Sequence, residues 1–374
     1  MSTQVSSNAP IELAETLRAR LALFPETANS ERETAARLKH FLTEFKPTRF
    51  VDHVGGYGVI AEWNSGKKGP TVMVRACMDA AAEGHTYGHD AEMAAVAGLA
   101  PLIQENMPKT GALVLVFQPA STTGTGAHAV FSDDKFRPFK PDWIIGFEPI
   151  PGEELGTVVF REGAMTTASK GLTIKLHGKE SDISSALGAV HPLKGVIRLS
   201  EQILDLSADE KFEQFVQTNV AHIRLGEKVF HTSPGYAELS ATVRARKKRE
   251  LDKMAKRIVD YAQIAGQIHE LGVDVTWHDE FIAIRNGEGT AKVVEQWRKA
   301  SGHPVRLLDE PLHWSDDFQH YLKGLNGVFI GIGAGQDAQP RGSEGFDLPE
   351  AWTGQTHQIL WSMVQDSFKR LYSS

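Results

Sequence analysis

The sequence predicts a two-domain α/β protein in which a larger α/β domain is interrupted by a smaller α/β sandwich. Three observations lead there. The chain has 374 residues, beyond the ~250–300 at which a single hydrophobic core stops growing. Short apolar runs bounded by Gly, Pro or charge alternate with helix-periodic stretches over roughly the first 150 residues and again after about residue 280, as expected for helices layered on a largely parallel sheet. Between them the texture changes to strand, helix, strand, strand, helix. The larger domain is therefore assigned to residues 1–166 and 273–374, and the inserted one to 167–272.

In chain order, "PIELAETLRARLALF" (10–24) and "SERETAARLKHFLTE" (30–44) place apolar residues at three- and four-residue spacing, the mark of amphipathic helices. Strands follow at "YGVIAEW" (57–63), "PTVMVRACM" (70–78), "GALVLVFQP" (111–119) and "DWIIGFE" (142–148), with a small-residue helix, "AEMAAVAGLAPLIQENM", between the second and third. In the insert, "ASKGLTIKLHGK" reads as an edge strand, "GVIRLSEQILDLS" as a helix, and "NVAHIRLGE" and "YAELSATVRARK" as strands. A long helix, "RELDKMAKRIVDYAQIAGQIHELG", completes that series. Such a sandwich needs one more strand, supplied either by "GVDVTWH" or by pairing with another subunit. A helix at 290–300, a strand at "GVFIGIG" and a closing helix at 351–371 return to the larger domain.

A formal charge of -7 without a long Lys/Arg block gives no electrostatic footprint for nucleic acid or anionic lipid. The expected partner is a small molecule. The N-terminus has no basic segment followed by an apolar one, and no later run approaches bilayer length. A cytoplasmic location is the expectation. One cysteine makes no internal disulfide.

The chemistry concentrates at "RACMDAAAEGHTYGHDAEMA", residues 75–94, where two histidines, two aspartates and that cysteine lie close together. Taken with "VFQPASTTGTGA", "GFEPIPG", "GKESDIS", "ATVRA", "WSDDF", "GIGAG" and "FDLPE", which follow in order up to residue 350, it makes the chain, from about residue 10 to 370, resemble the aminoacylase, hippurate hydrolase and indole-acetyl-amino-acid hydrolase group of metallopeptidases, peptidase family M20. The resemblance implies a phosphorylase/hydrolase-like catalytic α/β domain with an inserted lid that also serves for homodimerisation. It further implies two divalent metals in the interdomain cleft and hydrolysis of N-acyl amino acids and related small amides. In that chemistry a metal-bound water attacks the carbonyl, a glutamate takes its proton, and the metals hold the developing oxyanion.

The same resemblance exposes departures. The group's bridging cysteine is Tyr87, and of its second segment only the ligand His89 remains; the general-base glutamate and its neighbouring ligand are Ser121 and Thr122. Glu148 stands where a ligand histidine is expected, Gly342 where the last one is, Cys77 in place of an aspartate, and Asp182 in place of the lid histidine. Hydroxyls are poor ligands and cannot serve as bases without activation. Two remaining donors are fewer than the three protein ligands a catalytic zinc uses. No cofactor is therefore expected, or at most one weakly bound divalent ion on His89 and Glu148.

Each residue has a plain reading beside the chemical one. Cys77 is a buried small hydrophobe or a nucleophile; Asp79 and Asp90 orient ligands or cap loops; His89 and Glu148 are an acid/base pair or an ion pair. His191, His231 and His313 are surface or packing residues, unless His191 or His231 stands in for the lid histidine. The expected catalytic set is His89, Glu148, Cys77 and Asp79, with Tyr87, Asp90, Ser121, Thr122, His191, His231 and Gly342 contacting substrate. Three functions follow from this set. The first is metal-independent amide or acyl chemistry on a small acylated amino-acid-like compound, by hydrolysis or acyl transfer. The second is a non-catalytic descendant that binds a ligand or supports a partner protein. The third is a single-metal amidohydrolase using His89, Glu148 and a carboxylate such as Asp79 or Asp90.

Overall fold

The computed structural model describes residues 9–209, 212 and 214–372. In chain order its main elements are α1 (Ala9–Ala22), α2 (Arg32–Thr43), β1 (Arg49–Val54), β2 (Gly58–Asn64), β3 (Thr71–Cys77), α3 (His89–Ala97), α4 (Leu99–Glu105), β4 (Ala112–Gln118), α5 (Gly126–Ser132), β5 (Trp143–Ile150) and β6 (Val158–Phe160). There follow β7 (Ala168–His177), α6 (Leu193–Asp205), β8 (Val216–Leu225), β9 (Tyr236–Ala245), α7 (Lys248–His269) and β10 (Gly272–Phe281). The chain closes with α8 (Thr290–Ser301), β11 (Val305–Leu307), α9 (Gln319–Leu322), β12 (Gly327–Gly333) and α10 (Glu350–Tyr372).

These elements form two compact units, one of residues 1–165, 284–311 and 316–374, the other of 166–283 and 312–315. In the larger unit an eight-stranded sheet runs β1-β2-β4-β3-β5-β12-β6-β11. Its centre, β4-β3-β5-β12, is parallel. The β1/β2, β2/β4 and β12/β6 pairs are antiparallel. Strands β4, β5 and β12 are buried along their whole length, which is why they read as continuous Val/Ile/Leu runs. Helix α3 is buried at every position, and its alanines let it lie close to the sheet. The expected single helix over 91–107 is divided at Gly98 into α3 and α4. Strand β1 was not anticipated, because its burial is patchy and no apolar alternation marks it.

The smaller unit holds a four-stranded antiparallel sheet ordered β8-β9-β7-β10. Its own core joins Leu172, Ile174 and Leu176 of β7 to Leu199 and Ile203 of α6 and Met254 and Ile258 of α7. Two sequence expectations are corrected here. Strand β7 is central, since it pairs on both sides. The sandwich extends past residue 272, because β10, containing "GVDVTWH", supplies the missing strand within the chain.

The parallel strands set the site's position. Their carboxyl ends lie on one side of the sheet, where open α/β folds place ligands. Cys77 closes β3 beside Gln118 of β4, and Glu148 stands on β5 beside Gly331 of β12. On the same strand, Gly146 admits the buried ring of Phe318: a Cβ there would fall 2.5 Å from a ring carbon. Gly146→Ala is expected to lower stability by ~1–3 kcal/mol, the usual range for overpacking a tight core, as read by urea unfolding; an unchanged midpoint would show that the ring yields.

Candidate active site

The centre of the site is the guanidinium of Arg75, wholly buried on β3. Its Nε donates to Gln118 Oε1 at 3.0 Å, and its Nη2 reaches both oxygens of Asp316 at 3.0–3.1 Å and Asp317 Oδ1 at 2.9 Å. Nη1 lies 3.6 Å from Glu148 Oε1 and has no hydrogen-bond partner. The ring of Phe318 lies 5.6 Å beneath the guanidinium. Asp317 is held further by Gln118 Nε2 and by the backbone N–H of Ala127.

Around this hub stand Cys77, His89, Glu92 and Glu148, which bring one donor atom each to within 4.8 Å of the others. The Cys77 thiol points at Ser121 Oγ, 3.1 Å away, and at Glu148 Oε1 at 3.7 Å. Glu92 accepts a long bond from the Cys77 N–H through Oε2, while its Oε1 has no partner. Glu148 also pairs with Arg341, whose guanidinium lies 5.7 Å over the Tyr87 ring. Tyr87 in turn stacks on His89, with centroids 5.9 Å apart. Gly342, at φ +76°, fits beneath Tyr87: a Cβ there would meet the ring at 3.1 Å. The position expected for a metal-binding histidine is thus closed by a tyrosine.

Burial sets the protonation states. It pushes the Cys77 thiol well above the ordinary thiol range, more than Arg75 pulls it down; Cys77 is a thiol and not a ready nucleophile. Burial likewise lifts Glu92 well above the usual carboxyl range, with Glu148 adding to the rise. For Glu148, burial and the Asp316 charge outweigh Arg341 and Arg75, and the group is raised to about 7. Burial also lifts Asp316, but the Arg75 guanidinium and the Phe318 N–H leave it below the ordinary value. His89 is lowered to about 4 by burial, against the pull of Asp79, so its imidazole is neutral. Its Nδ1 meets the Asp79 carbonyl oxygen at 2.5 Å.

The other expected site residues fall into two groups. Asp79 belongs to the site's frame: it accepts the Ser121 and Thr122 N–H groups and the Thr122 hydroxyl, pinning the loop after β4 to the end of β3. Asp90 faces α1, where Arg18 Nε holds it at 3.0 Å. His191 and His231 are exposed residues of the smaller unit; His191 Nδ1 accepts the Leu193 N–H at the start of α6. His313 stacks on Phe215 at 4.2 Å within that unit. Asp182, also exposed, accepts from Ser184. Sequence reading missed Arg75, Glu92, Gln118, Asp316, Asp317 and Arg341. Glu92 carried a signal, being one helical turn beyond His89, as did the paired acids of "WSDDF".

The sequence model described as peptidase family M20/M25/M40 matches residues 79–361. The chain belongs to this family. Among its M20 relatives are an N-acetyl-L-cysteine deacetylase of Bacillus subtilis, 25% identical over 86% of this chain and 80% of that one, and the IAA-amino acid hydrolase ILR1-like 4 of Arabidopsis thaliana, 26% identical over 85% and 76%. The B. subtilis YXEP protein, described as a dinuclear metal binding peptidase from the M20 family, has the same fold at TM-score 0.76 and 19% identity, covering 97% of this chain and 99% of that one. The aminobenzoyl-glutamate utilization protein of Klebsiella pneumoniae matches at TM-score 0.74 and 16% identity, over 96% and 98%.

A pair of divalent cations does not fit the M20 site as these residues arrange it. Glu148 is already matched to two guanidinium charges. The Ser121 hydroxyl lies between Cys77 and Asp316, and the Thr122 hydroxyl is committed to Asp79. The four clustered donors are enough for one coordination shell, and to serve as ligands the thiol and the carboxyls would first lose their protons. Removing the hub's charge is expected to be costly in a different way. Arg75→Met leaves Asp316 and Asp317 buried without their cation, so urea unfolding should show a loss of ~3–5 kcal/mol; a loss below about 1 kcal/mol would mean that the acids are neutral without it.

Proposed function

We propose that this M20 protein acts on the amide of a small acylated amino acid by acid/base chemistry at Glu148, with guanidinium charge where its relatives use metal ions. The observation that carries the reading is Glu148 itself: a carboxyl 1% exposed, raised to about 7, between two arginines. A general acid/base works best with its pKa near the working pH. The names of the relatives, a deacetylase of N-acetyl-L-cysteine and a hydrolase of IAA-amino acids, support an acylated amino acid as the substrate class.

The neighbouring atoms suit an amide. Arg75 Nη1 is a buried donor and Glu92 Oε1 a buried atom without a partner, and both belong to the cluster around Glu148. An amide brings one acceptor and one donor, so its carbonyl oxygen would take the Arg75 N–H and its N–H would meet Glu92. In hydrolysis the Glu148 carboxylate takes a proton from water as the water oxygen bonds to the carbonyl carbon. The negative charge that develops on the carbonyl oxygen faces Arg75. Glu148 then gives the proton to the departing nitrogen as the C–N bond breaks. Cys77 and His89 are supports here: the first is protonated, and the second is neutral with Nδ1 engaged.

A second reading, ligand binding without turnover, is favoured by the pairing of Glu148 with Arg341, which occupies the base. The two readings part in one assay. Protein dialysed against a chelator is expected to release free amino acid from a panel of N-acetyl amino acids, with kcat/KM rising as pH increases through about 7. Glu148→Gln is expected to lower kcat by about 10²–10⁴-fold. Binding without release would favour the second reading, and release that depends on added divalent metal would refute the metal-free one.

Stability has its own signature. A carboxyl whose pKa is raised on folding contributes stability that is present below its unfolded value and lost as pH rises through the folded one. For Glu148 that window runs from about 4.5 to about 7. Urea unfolding of Glu148→Gln should therefore fall less steeply across this window than that of the wild type; parallel curves would show that Glu148 ionises normally.

A further inference from the structure

Arg341 differs from the other charged members of the cluster. Its side chain is 13% exposed, against 4% or less for Arg75, Glu148, Asp316 and Asp317. It comes from the segment after β12 and reaches inward over the Tyr87 ring to Glu148 Oε2. Gly342, next in sequence, has no side chain to push Tyr87 out of this position. Arg75 has its Nε and Nη2 committed to Gln118, Asp316 and Asp317, and the one N–H group left, at Nη1, is taken by the amide oxygen in the reading above, so the ligand's carboxylate needs another partner. Arg341 can be that partner, because a planar guanidinium that holds one carboxylate is equally shaped to hold another.

We propose that Arg341 is the specificity-determining residue that recognises the carboxylate of the ligand, and that it exchanges Glu148 for that carboxylate on binding. This rests on the acylated amino acid reading above and assigns a residue to its anionic end. The exchange has a directional consequence. Glu148 competes with the ligand for Arg341, so removing the Glu148 charge must tighten carboxylate binding even while it abolishes chemistry. An ordinary supporting residue would not behave so. The exchange also selects: a neutral analogue cannot draw Arg341 away, and Glu148 stays paired.

The test compares N-acetyl-L-alanine with N-acetyl-L-alaninamide by isothermal titration calorimetry on the full chain. The acid is expected to bind at least about tenfold more tightly than the amide, as the loss of a charge-assisted pair predicts. Arg341→Gln should erase that preference, Arg341→Lys should keep part of it, and Glu148→Gln should increase it. Equal binding of acid and amide by the wild type would overturn the assignment while leaving the substrate class standing. So would an unchanged preference in Arg341→Gln, or weaker acid binding in Glu148→Gln. If neither compound binds, the substrate class fails, and thermal-shift titration with sodium acetate against matched sodium chloride and acetamide decides the residue. Stabilisation by acetate alone, lost in Arg341→Gln, keeps Arg341 as a carboxylate site; no selective stabilisation removes it.

Discussion

The site depends on one buried cation. Arg75 has no exposure, and its guanidinium is the common partner of Gln118, Asp316 and Asp317, with Glu148 at 3.6 Å. An unpaired charge in such surroundings is costly, and a paired one persists only when its hydrogen bonds are well made. Five carboxyl groups, those of Asp79, Glu92, Glu148, Asp316 and Asp317, are buried here with Arg75 and with the largely covered Arg341. Two positive charges cannot balance five negative ones, so part of the cluster must hold protons. Burial lifts Glu92 well above the usual carboxyl range and raises both Glu148 and Asp317 to about 7, so these three groups share the protons near neutrality. The raised carboxyl groups of the site are thus a consequence of charge balance in a dry interior.

The same balance bears on the donor set that the M20 framework brings together in this chain. The parallel strands still deliver residues 77, 118 and 148 to one edge of the sheet, and α3 still begins at His89. Asp79 now fastens the loop carrying Ser121 and Thr122, Tyr87 covers His89, and Arg341 supplies positive charge from the segment before α10. Within the cluster, Glu92 Oε1 and Arg75 Nη1 are buried without a hydrogen-bond partner. Those two atoms sit beside Glu148, the group proposed to act as acid and base.

Much of the fold was legible because its signals are local. Five of the strands that build the larger sheet show as apolar runs, α1 and α2 show helical spacing, and the two-unit organisation shows as a change of texture. The end of the smaller unit was not, because β10 joins it through pairing with β7, a contact that spacing along the chain does not encode. Within the site, Cys77, His89 and Glu148 could be named from the motifs, and they do meet. Their partners could not. Asp316 and Asp317 come from a segment about 240 residues after Arg75, and Arg341 gains its role only because Gly342 leaves room for Tyr87. Asp90 illustrates the converse: beside His89 in sequence, it points from the next helical position toward Arg18.

On the function proposed above, guanidinium groups, and not paired metal ions, balance the acids of this site. Equilibrium dialysis of chelator-treated protein against zinc and manganese at neutral pH measures this directly. No more than one weakly held ion per chain is expected. Two tightly bound ions per chain would contradict that balance.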